Sequence, residues 1–433
     1  MKKKIIVRGP VLSRSGYGEQ ARFALRALKE HQDKYEIYVV NIPWGHTSWI
    51  VEDGEERRWL DLVMIKTQHY IEKNKDKFEN QTIFDISLQI TIPNEWKQMA
   101  TTNIGYTAGI ESNTIAPEWI EQCNFMDRII VVSEHAKNGF VNTKYEVKNN
   151  KTGEVHSDYR CTLTPEVVGY PVRKFKPAKI DIDLQTDFNF LAVAQWGVRK
   201  NLENTIKWFV EEFIDQEVGL LLKTNVMNNC TMDAWHTEKK LKNILSEYPD
   251  RKCKVYFIHG DMSDEEMSAI YNHKKINALI TLAHGEGFGL PIFEAAYYGL
   301  PVVSPDWSGQ CDYLYMQEKQ GKKKNRKTTN KAMFAKVDYD ILPIQKEAVW
   351  DKVLVQESMW CFPRQGSYKM RLRDVYKNYD SYKEKANKLS KHLEKKYKEK
   401  DMYDLFVSKL DVENVIEASF STTQDPEKEV FVL

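Results

Sequence analysis

Hydrophobic and polar positions alternate along the chain in two different spacings. Short apolar runs, such as residues 4–8 and 278–282, are typical of buried strands, whereas residues 19–31 repeat apolar side chains at helical spacing. Strand and helix patterns follow one another through residue 132 and again after residue 187. This order predicts an α/β protein with parallel sheets that carry helices on both faces.

The length and the position of the breaks divide the chain into two predicted domains. A chain of 433 residues is long enough for two domains of ordinary size. Proline and polar residues favour a linker at residues 171–186, between a first domain at residues 1–170 and a second at residues 187–380. Residues 381–433 are predicted to form charged helices and a tail.

Composition removes several classes of protein from consideration. The 63 Lys and Arg residues balance 62 Asp and Glu residues, so no overall charge draws the chain to polyanions. Six cysteines are scattered without a C-x-x-C pair, which favours free thiols in a reducing compartment and gives no zinc spacing. No run approaches the ~20 apolar residues that cross a bilayer. A cytoplasmic protein is therefore expected.

A Gly-rich loop after the apolar run at residues 278–282 holds the most informative pattern. Glu286 and Glu294 flank it with seven residues between them, and Pro291 suits the first position of a predicted helix at residues 291–298. Glycines let backbone approach a ligand, and a helix start offers free N–H groups to phosphate. Carboxylates accept hydrogen bonds from sugar hydroxyls. The segment thus predicts a site for a phosphate-bearing sugar compound.

This segment resembles the E-x7-E motif of retaining glycosyltransferase family 4. The resemblance implies the GT-B fold, which is two facing Rossmann-like domains with parallel sheets and a cleft between them, and C-terminal helices that cross back to the first domain. It also implies that Glu294 binds the ribose and Glu286 the sugar of a nucleoside diphosphate sugar. The donor is a substrate, and neither a cofactor nor an essential metal is expected.

A second motif lies at residues 193–202, where the family has an arginine followed five residues later by a lysine. Lys200 matches the lysine, but Gln195 occupies the arginine position, and Arg199 is the candidate replacement. A cation here would neutralise the charge that builds on the leaving diphosphate.

Two features of the first half complete the predicted cleft. Residues 105–112 resemble a subgroup of the family in which an acid replaces a cleft histidine, and Glu111 is that acid. Gly16 and Gly18 lie in a predicted long loop at residues 9–18, whose backbone is expected to contact donor phosphate or acceptor. Their fit to the dinucleotide pattern G-x-G-x-x-G/A lacks the acid that would bind a ribose.

The predicted activity is the retaining transfer of a sugar from a nucleoside diphosphate sugar to an acceptor hydroxyl. The alternatives are a sugar-nucleotide epimerase of the same fold and a non-catalytic sugar-nucleotide-binding protein. Three residues are assigned to catalysis: Glu286, Glu111 and Lys200. The residues assigned to donor binding are Glu294, Lys200, Arg199, Gln195, Gly287, Phe288, Gly289, Leu290, Gly16 and Gly18.

The sequence does not identify the acceptor, and a glycan, a lipid, a protein and a modified DNA base stay open as alternatives. Residues 105–112 and 126–140 resemble virus-encoded members of the family. This resemblance implies a location in the host cytoplasm and makes phage DNA modification a candidate role. The basic run at residues 321–327 is a candidate phosphate-tracking patch. A polar insertion at residues 144–163 is predicted to be a hairpin that contacts the acceptor.

Overall fold

The structure is a computed structural model that describes residues 2–78, 82–149, 155–320, 327–411 and 430–432. The strands are Lys3–Gly9 (β1), Tyr35–Asn41 (β2), Ile86–Gln89 (β3), Thr102–Thr107 (β4), Arg128–Val131 (β5), Tyr145–Asn149 (β6), Val155–Tyr159 (β7), Glu166–Val167 (β8), Asn189–Gln195 (β9), Gly219–Asn225 (β10), Lys254–Ile258 (β11), Ile276–Ile280 (β12), Val302–Pro305 (β13), Tyr315–Gln320 (β14), Lys327–Ala332 (β15), Ala335–Val337 (β16), Tyr339–Pro343 (β17), Met359–Pro363 (β18) and Val430–Val432 (β19). The α-helices are Gly16–Glu30 (α1), Glu55–Lys73 (α2), Lys75–Phe78 (α3), Pro117–Cys123 (α4), Glu134–Asn142 (α5), Leu202–Glu212 (α6), Thr231–Leu245 (α7), Asp264–Tyr271 (α8), Leu290–Tyr297 (α9), Cys311–Leu314 (α10), Gln365–Lys377 (α11), Tyr379–Lys396 (α12) and Glu399–Ser408 (α13).

Two six-stranded parallel sheets form the two halves of the molecule, as the alternating pattern predicts. The first sheet has the order β2-β1-β3-β4-β5-β8, and the second has the order β11-β10-β9-β12-β13-β16. Residues 168–188, between the two sheets, form neither helix nor strand. Ligands of such sheets bind beyond the carboxyl ends of the strands, so those ends define where a site belongs.

The loop after β1 is shorter than predicted, because the first helix begins at Gly16 and not at residue 19. The Ser15 hydroxyl accepts a hydrogen bond from the N–H of Gly18 at 3.1 Å and caps the start of α1. Gly18 is required there, since a Cβ would lie 1.9 Å from the carbonyl oxygen of Ser13. Gly16 and Gly18 therefore belong to the first turn of α1, and the loop before it is short.

The last helices pack against both halves, since the Ser390 hydroxyl of α12 donates to the carbonyl of Tyr297 on α9 at 2.6 Å. Phe406 of α13 contacts Phe23 of α1 with their ring centroids 5.3 Å apart, and an Arg128 Nη1 donates to the carbonyl of Lys409 at 2.9 Å. Among the described residues, none of the helices combines the length and the apolar character that crossing a bilayer requires.

Besides the pair formed by β14 and β15, two hairpins are relevant to the site. Strands β6 and β7 pair antiparallel, which confirms the hairpin predicted within residues 144–163. Strands β17 and β18 also pair antiparallel and carry residues 339–363 from the second half toward the first. We call residues 339–363 the bridging hairpin. The basic run at residues 321–326 lies outside the described residues.

Candidate active site between the two halves

The loop that carries Glu286 is held from several sides by hydrogen bonds. It follows β12, and its residues from His284 to Gly289 are buried. The N–H of Glu286 donates to the Ser308 hydroxyl at 3.0 Å, and the N–H of Gly309 donates to the carbonyl of Glu286 at 2.9 Å. The backbone direction at Glu286 is therefore fixed before any ligand binds.

Two cations from the turn after β9 reach the Glu286 carboxylate. Lys200 Nζ lies 2.5 Å from Glu286 Oε1, and Arg199 Nη1 lies 3.2 Å from Glu286 Oε2. The second terminal nitrogen of Arg199, Nη2, lies 3.2 Å from Oε1 of Glu111, which belongs to the first half. Arg199 thus connects the two acids that the sequence assigns to catalysis, across the boundary between the halves.

Burial and charge act in opposite directions on these groups. Burial disfavours ionised Glu286, but Lys200 and Arg199 outweigh it and hold the pKa of its carboxyl below the usual range. Burial also opposes the charge of Arg199, and Glu111 and Glu286 raise its pKa nonetheless. For Lys200 burial prevails, so its pKa is lowered. The cluster contains two acids and two cations in a partly dry site, where charge interactions are strong.

The glycines of the loop allow the two halves to meet backbone against backbone. A Cβ on Gly285 would lie 2.0 Å from the carbonyl oxygen of Glu111, and one on Gly287 would lie 2.6 Å from that of Ala108. The Ser133 hydroxyl of the first half donates to the carbonyl of Gly287 at 2.6 Å. The sequence predicts that the backbone at these glycines approaches a ligand. In the structure, the backbone at Gly285 and Gly287 approaches the backbone of the first half.

Helix α9 begins after Gly289, whose φ of 85° is left-handed, and places Glu294 in its second turn. Glu294 Oε2 accepts a hydrogen bond from the Tyr271 hydroxyl at 2.8 Å. Burial raises the pKa of Glu294 from 4.5 to about 8, and the Tyr271 hydrogen bond opposes this. The protonated carboxyl still has a donor and free lone pairs, so it remains able to bond a hydroxyl.

Glu294→Gln is expected to flatten the pH dependence of stability. Between 4.5 and about 8 the unfolded chain releases a proton that folded Glu294 retains, so stability falls as the pH rises through this window. Glutamine has no proton to release and does not contribute to the fall. Urea midpoints at about pH 5 and about pH 8 should therefore differ less in the variant than in the wild type. Glu265→Gln, at an exposed position on α8, is the control; an unchanged slope in Glu294→Gln would contradict the assignment.

The remaining predicted donor residues lie around this cluster in different surroundings. Gln195 is exposed, and its Nε2 donates to the carbonyl of Val226 at 2.9 Å, so its amide contacts the turn after β10. Phe288 is buried among aromatic rings, and its carbonyl accepts from the Tyr313 hydroxyl at 3.0 Å. Leu290 is half-buried as the first residue of α9. Arg199 therefore supplies a cation beside Lys200, and Gln195 does not.

Gly16 and Gly18 flank a side chain that the sequence does not single out. The Tyr17 hydroxyl lies 2.7 Å from Thr107 Oγ1 and accepts from the N–H of Ala108 at 3.3 Å. Ala108 is the residue that contacts Gly287, so Tyr17 supports the first-half side of the junction.

The bridging hairpin holds the loops of both acids. Backbone groups of Met359 bond to Asn113, two residues after Glu111, at 2.9 Å and 2.7 Å. Two residues further along β18, the N–H of Cys361 donates to the carbonyl of His284 at 3.1 Å, and the ring Nδ1 of His284 lies 2.6 Å from the carbonyl oxygen of Cys361. One strand therefore positions the Glu111 loop and the Glu286 loop together.

A chain of side-chain contacts fixes His284 inside this junction. Trp360 stacks on the His284 ring at 5.0 Å between centroids and donates from Nε1 to Gln345 Oε1 at 3.0 Å. Gln345 Nε2 in turn lies 3.0 Å from His284 Nε2. Burial lowers the pKa of His284, and the contact with Cys361 opposes this, so the neutral ring is favoured. The sequence does not single out Trp360 or Gln345, although the apolar run at residues 359–362 is a strand signal.

Within the described ranges, no group of three or more His, Cys, Asp or Glu side chains lies close enough to hold a metal ion. The expectation that transfer requires no metal stays a prediction.

Comparisons with known proteins agree with this architecture. Residues 179–333 match the family model of Glycosyl transferases group 1. No curated protein sequence matches the chain.

Solved glycosyltransferase structures share the whole two-half arrangement. The Anabaena HepE protein in complex with UDP and glucose matches with a TM-score of 0.55 at 10% identity, over 94% of this chain and 99% of that one. Sucrose-phosphate synthase from Thermosynechococcus elongatus matches with a TM-score of 0.59 at 12% identity, over 94% and 98%. A glycosyltransferase from Rickettsia africae ESF-5 matches with a TM-score of 0.59 at 10% identity, over 94% and 99%. These matches confirm the predicted GT-B fold.

Proposed function

We propose that the protein is a retaining glycosyltransferase of the family 4 type, which moves a sugar from a nucleoside diphosphate sugar to an acceptor hydroxyl. The observation that carries this proposal is the contact of Lys200 and Arg199 with Glu286, on a loop that also leads to Glu294. These groups offer cations to a diphosphate and carboxyl oxygens to sugar hydroxyls at one place. Glu111 approaches the same place from the other half.

Donor binding would exchange partners within this cluster. The diphosphate takes over the cations of Lys200 and Arg199, and Glu286 is then free to accept hydrogen bonds from the sugar. Because the cations are already held in place, they stabilise the charge that develops on the leaving diphosphate without further reorganisation. The half-buried setting keeps that stabilisation strong.

The transfer step requires no protein nucleophile. The bond from the sugar C1 to the diphosphate oxygen breaks, the acceptor oxygen forms a new bond to C1 on the same face, and the acceptor proton moves to the leaving phosphate oxygen. The two halves contribute by holding donor and acceptor in contact and by excluding water, which would otherwise hydrolyse the donor. Glu111 lies where it would orient the acceptor or the transferred sugar.

The test of the proposal is a donor screen on Glu294→Ala. The variant should bind its donor less tightly by ~1 to 3 kcal/mol, the usual cost of leaving a buried hydrogen-bonding group without its partner. Thermal shift with a panel of nucleoside diphosphate sugars identifies the donor, because a tight ligand raises the melting temperature. UDP-sugars come first in the panel, since HepE was solved with UDP. Titration calorimetry then compares wild type, Glu294→Ala and the exposed control Glu265→Ala.

Three outcomes would redirect the assignment. Unchanged donor affinity in Glu294→Ala would remove the ribose role. A new sugar isomer formed from donor alone would identify an epimerase. Donor binding without turnover to free diphosphate, across acceptors that include hydroxymethylated DNA, would indicate a binding protein.

A further inference from the structure

A group of apolar side chains is exposed on both sides of one end of the cleft. Trp49 is 43% exposed and Val51 is 77% exposed in the first half, and Met227, Met232 and Trp235 are 52%, 64% and 53% exposed in the second. We call these five residues the apolar rim. Exposed apolar side chains are ordinary when single, but a group of this size marks an interaction surface.

Hydrogen bonds bring the two parts of the apolar rim together. Asp261 Oδ1 accepts from the Ser48 hydroxyl at 2.7 Å and from Asn229 Nδ2 at 2.6 Å. Ser48 precedes Trp49, and Asn229 belongs to the turn between Met227 and Met232. Both loops therefore lie side by side where the halves meet.

The apolar rim also lies next to the candidate active site. Its second-half part follows the carboxyl end of β10, the neighbour of β9, and Gln195 Nε2 at the end of β9 donates to the carbonyl of Val226. The turn that carries Lys200 and Arg199 comes four residues later. A surface bound to the apolar rim would therefore face the opening of the cleft.

Positive charge accompanies the apolar side chains along α7. Lys239 Nζ lies 5.1 Å from the centroid of the Trp235 ring, and Lys240 Nζ lies 5.4 Å from that of Trp196. Of the two acids on α7, Glu238 pairs with Lys242 at 2.7 Å, and Asp233 is buried against His259 at 3.0 Å. The exposed face of α7 is therefore apolar near the cleft and cationic one to two turns further on.

We propose that the apolar rim docks on a lipid bilayer with anionic headgroups, so that the acceptor hydroxyl belongs to a membrane component. Met, Val and Trp enter the interface between headgroups and acyl chains, while neighbouring lysines attract the anionic headgroups. Val51, Met227 and Met232 have no ring to stack on a nucleobase, which favours lipid over single-stranded nucleic acid. This inference rests on the proposed transfer reaction for its acceptor, but the docking itself does not.

Vesicle co-sedimentation tests the docking directly. The full-length protein should sediment with vesicles of phosphatidylcholine and phosphatidylglycerol in equal parts, and less with phosphatidylcholine alone. Met232→Ser/Trp235→Ser should weaken binding at least about tenfold, because the variant has two fewer apolar side chains to bury in the bilayer. Lys239→Glu/Lys240→Glu should abolish the preference for anionic vesicles. Leu62→Ser is the matched control, since Leu62 on α2 is 67% exposed and lies outside the apolar rim.

Several outcomes would overturn the inference. These are the absence of vesicle binding, an equal loss in Leu62→Ser, and salt-sensitive binding of single-stranded DNA in place of vesicles. Donor-induced thermal shifts on the same variants separate the two proposals, because docking variants should keep the shift. If no donor raises the melting temperature of the wild type, the proposed function is contradicted, while the docking inference still stands.

Discussion

Replacing Lys200 by methionine should lower the rate of sugar transfer by on the order of 10²–10³-fold, the usual cost of removing one group that stabilises developing charge. Lys200 lies 2.5 Å from Glu286 and is the cation that the diphosphate would take over. Methionine keeps most of the apolar stem, so the effect is that of the ammonium group. Steady-state kinetics with saturating donor measure the change.

Controls separate catalysis from damage to the fold. Lys207→Ala, on α6 just after the same turn, removes a cation whose partners are Glu203 and Glu247 and should leave transfer unchanged. Lys200→Met/Glu286→Gln removes both partners of the pair, so it should regain the stability lost in Lys200→Met but not the activity. Full activity in Lys200→Met would refute the role given to the cation.

Trp360→Ala should destabilise the protein by about 3–5 kcal/mol, the usual cost of deleting a fully buried tryptophan side chain. Trp360 has no exposed surface, and it stacks on His284 and bonds to Gln345 inside the junction of the halves. Transfer should fall as well, because β18 positions both acid loops. A shift in the urea midpoint measures the first effect.

Trp350→Ala provides the comparison within the same hairpin. Trp350 is 59% exposed, so its loss should change stability within about 0.5 kcal/mol. Equal destabilisation by the two variants would contradict the prediction, because it would show that burial of Trp360 in the junction adds no stability.

The sequence predicts the local structure around Glu286 well because the signals there are local. Pro291 near the helix start and the apolar strand predicted at residues 278–282 are set by neighbours within a few positions. The structure has both, with the strand two residues earlier, at Ile276–Ile280. The capping box of Ser263 and Glu266 is equally local and is present at the start of α8.

The contacts that join the halves could not be predicted in this way. Arg199 reaches Glu111 across 88 positions of sequence, and Met359 reaches Asn113 across 246. No spacing rule links such residues, since tertiary packing alone brings them together. The start of α1 differs from the prediction for a local reason: two glycines suggest a loop, but the Ser15 cap and the close carbonyl of Ser13 fix them in a helix.

The meeting of Gly285 and Gly287 with carbonyl groups of the first half also determines how the protein tolerates change. Main-chain atoms therefore set the distance between the Glu111 loop and the Glu286 loop. Most substitutions change side chains and leave these main-chain atoms in place. Side chains around them are free to vary while Glu111 and Glu286 keep their separation. By contrast, a methyl group added at Gly285 or Gly287 would collide with the first half and push the two halves apart.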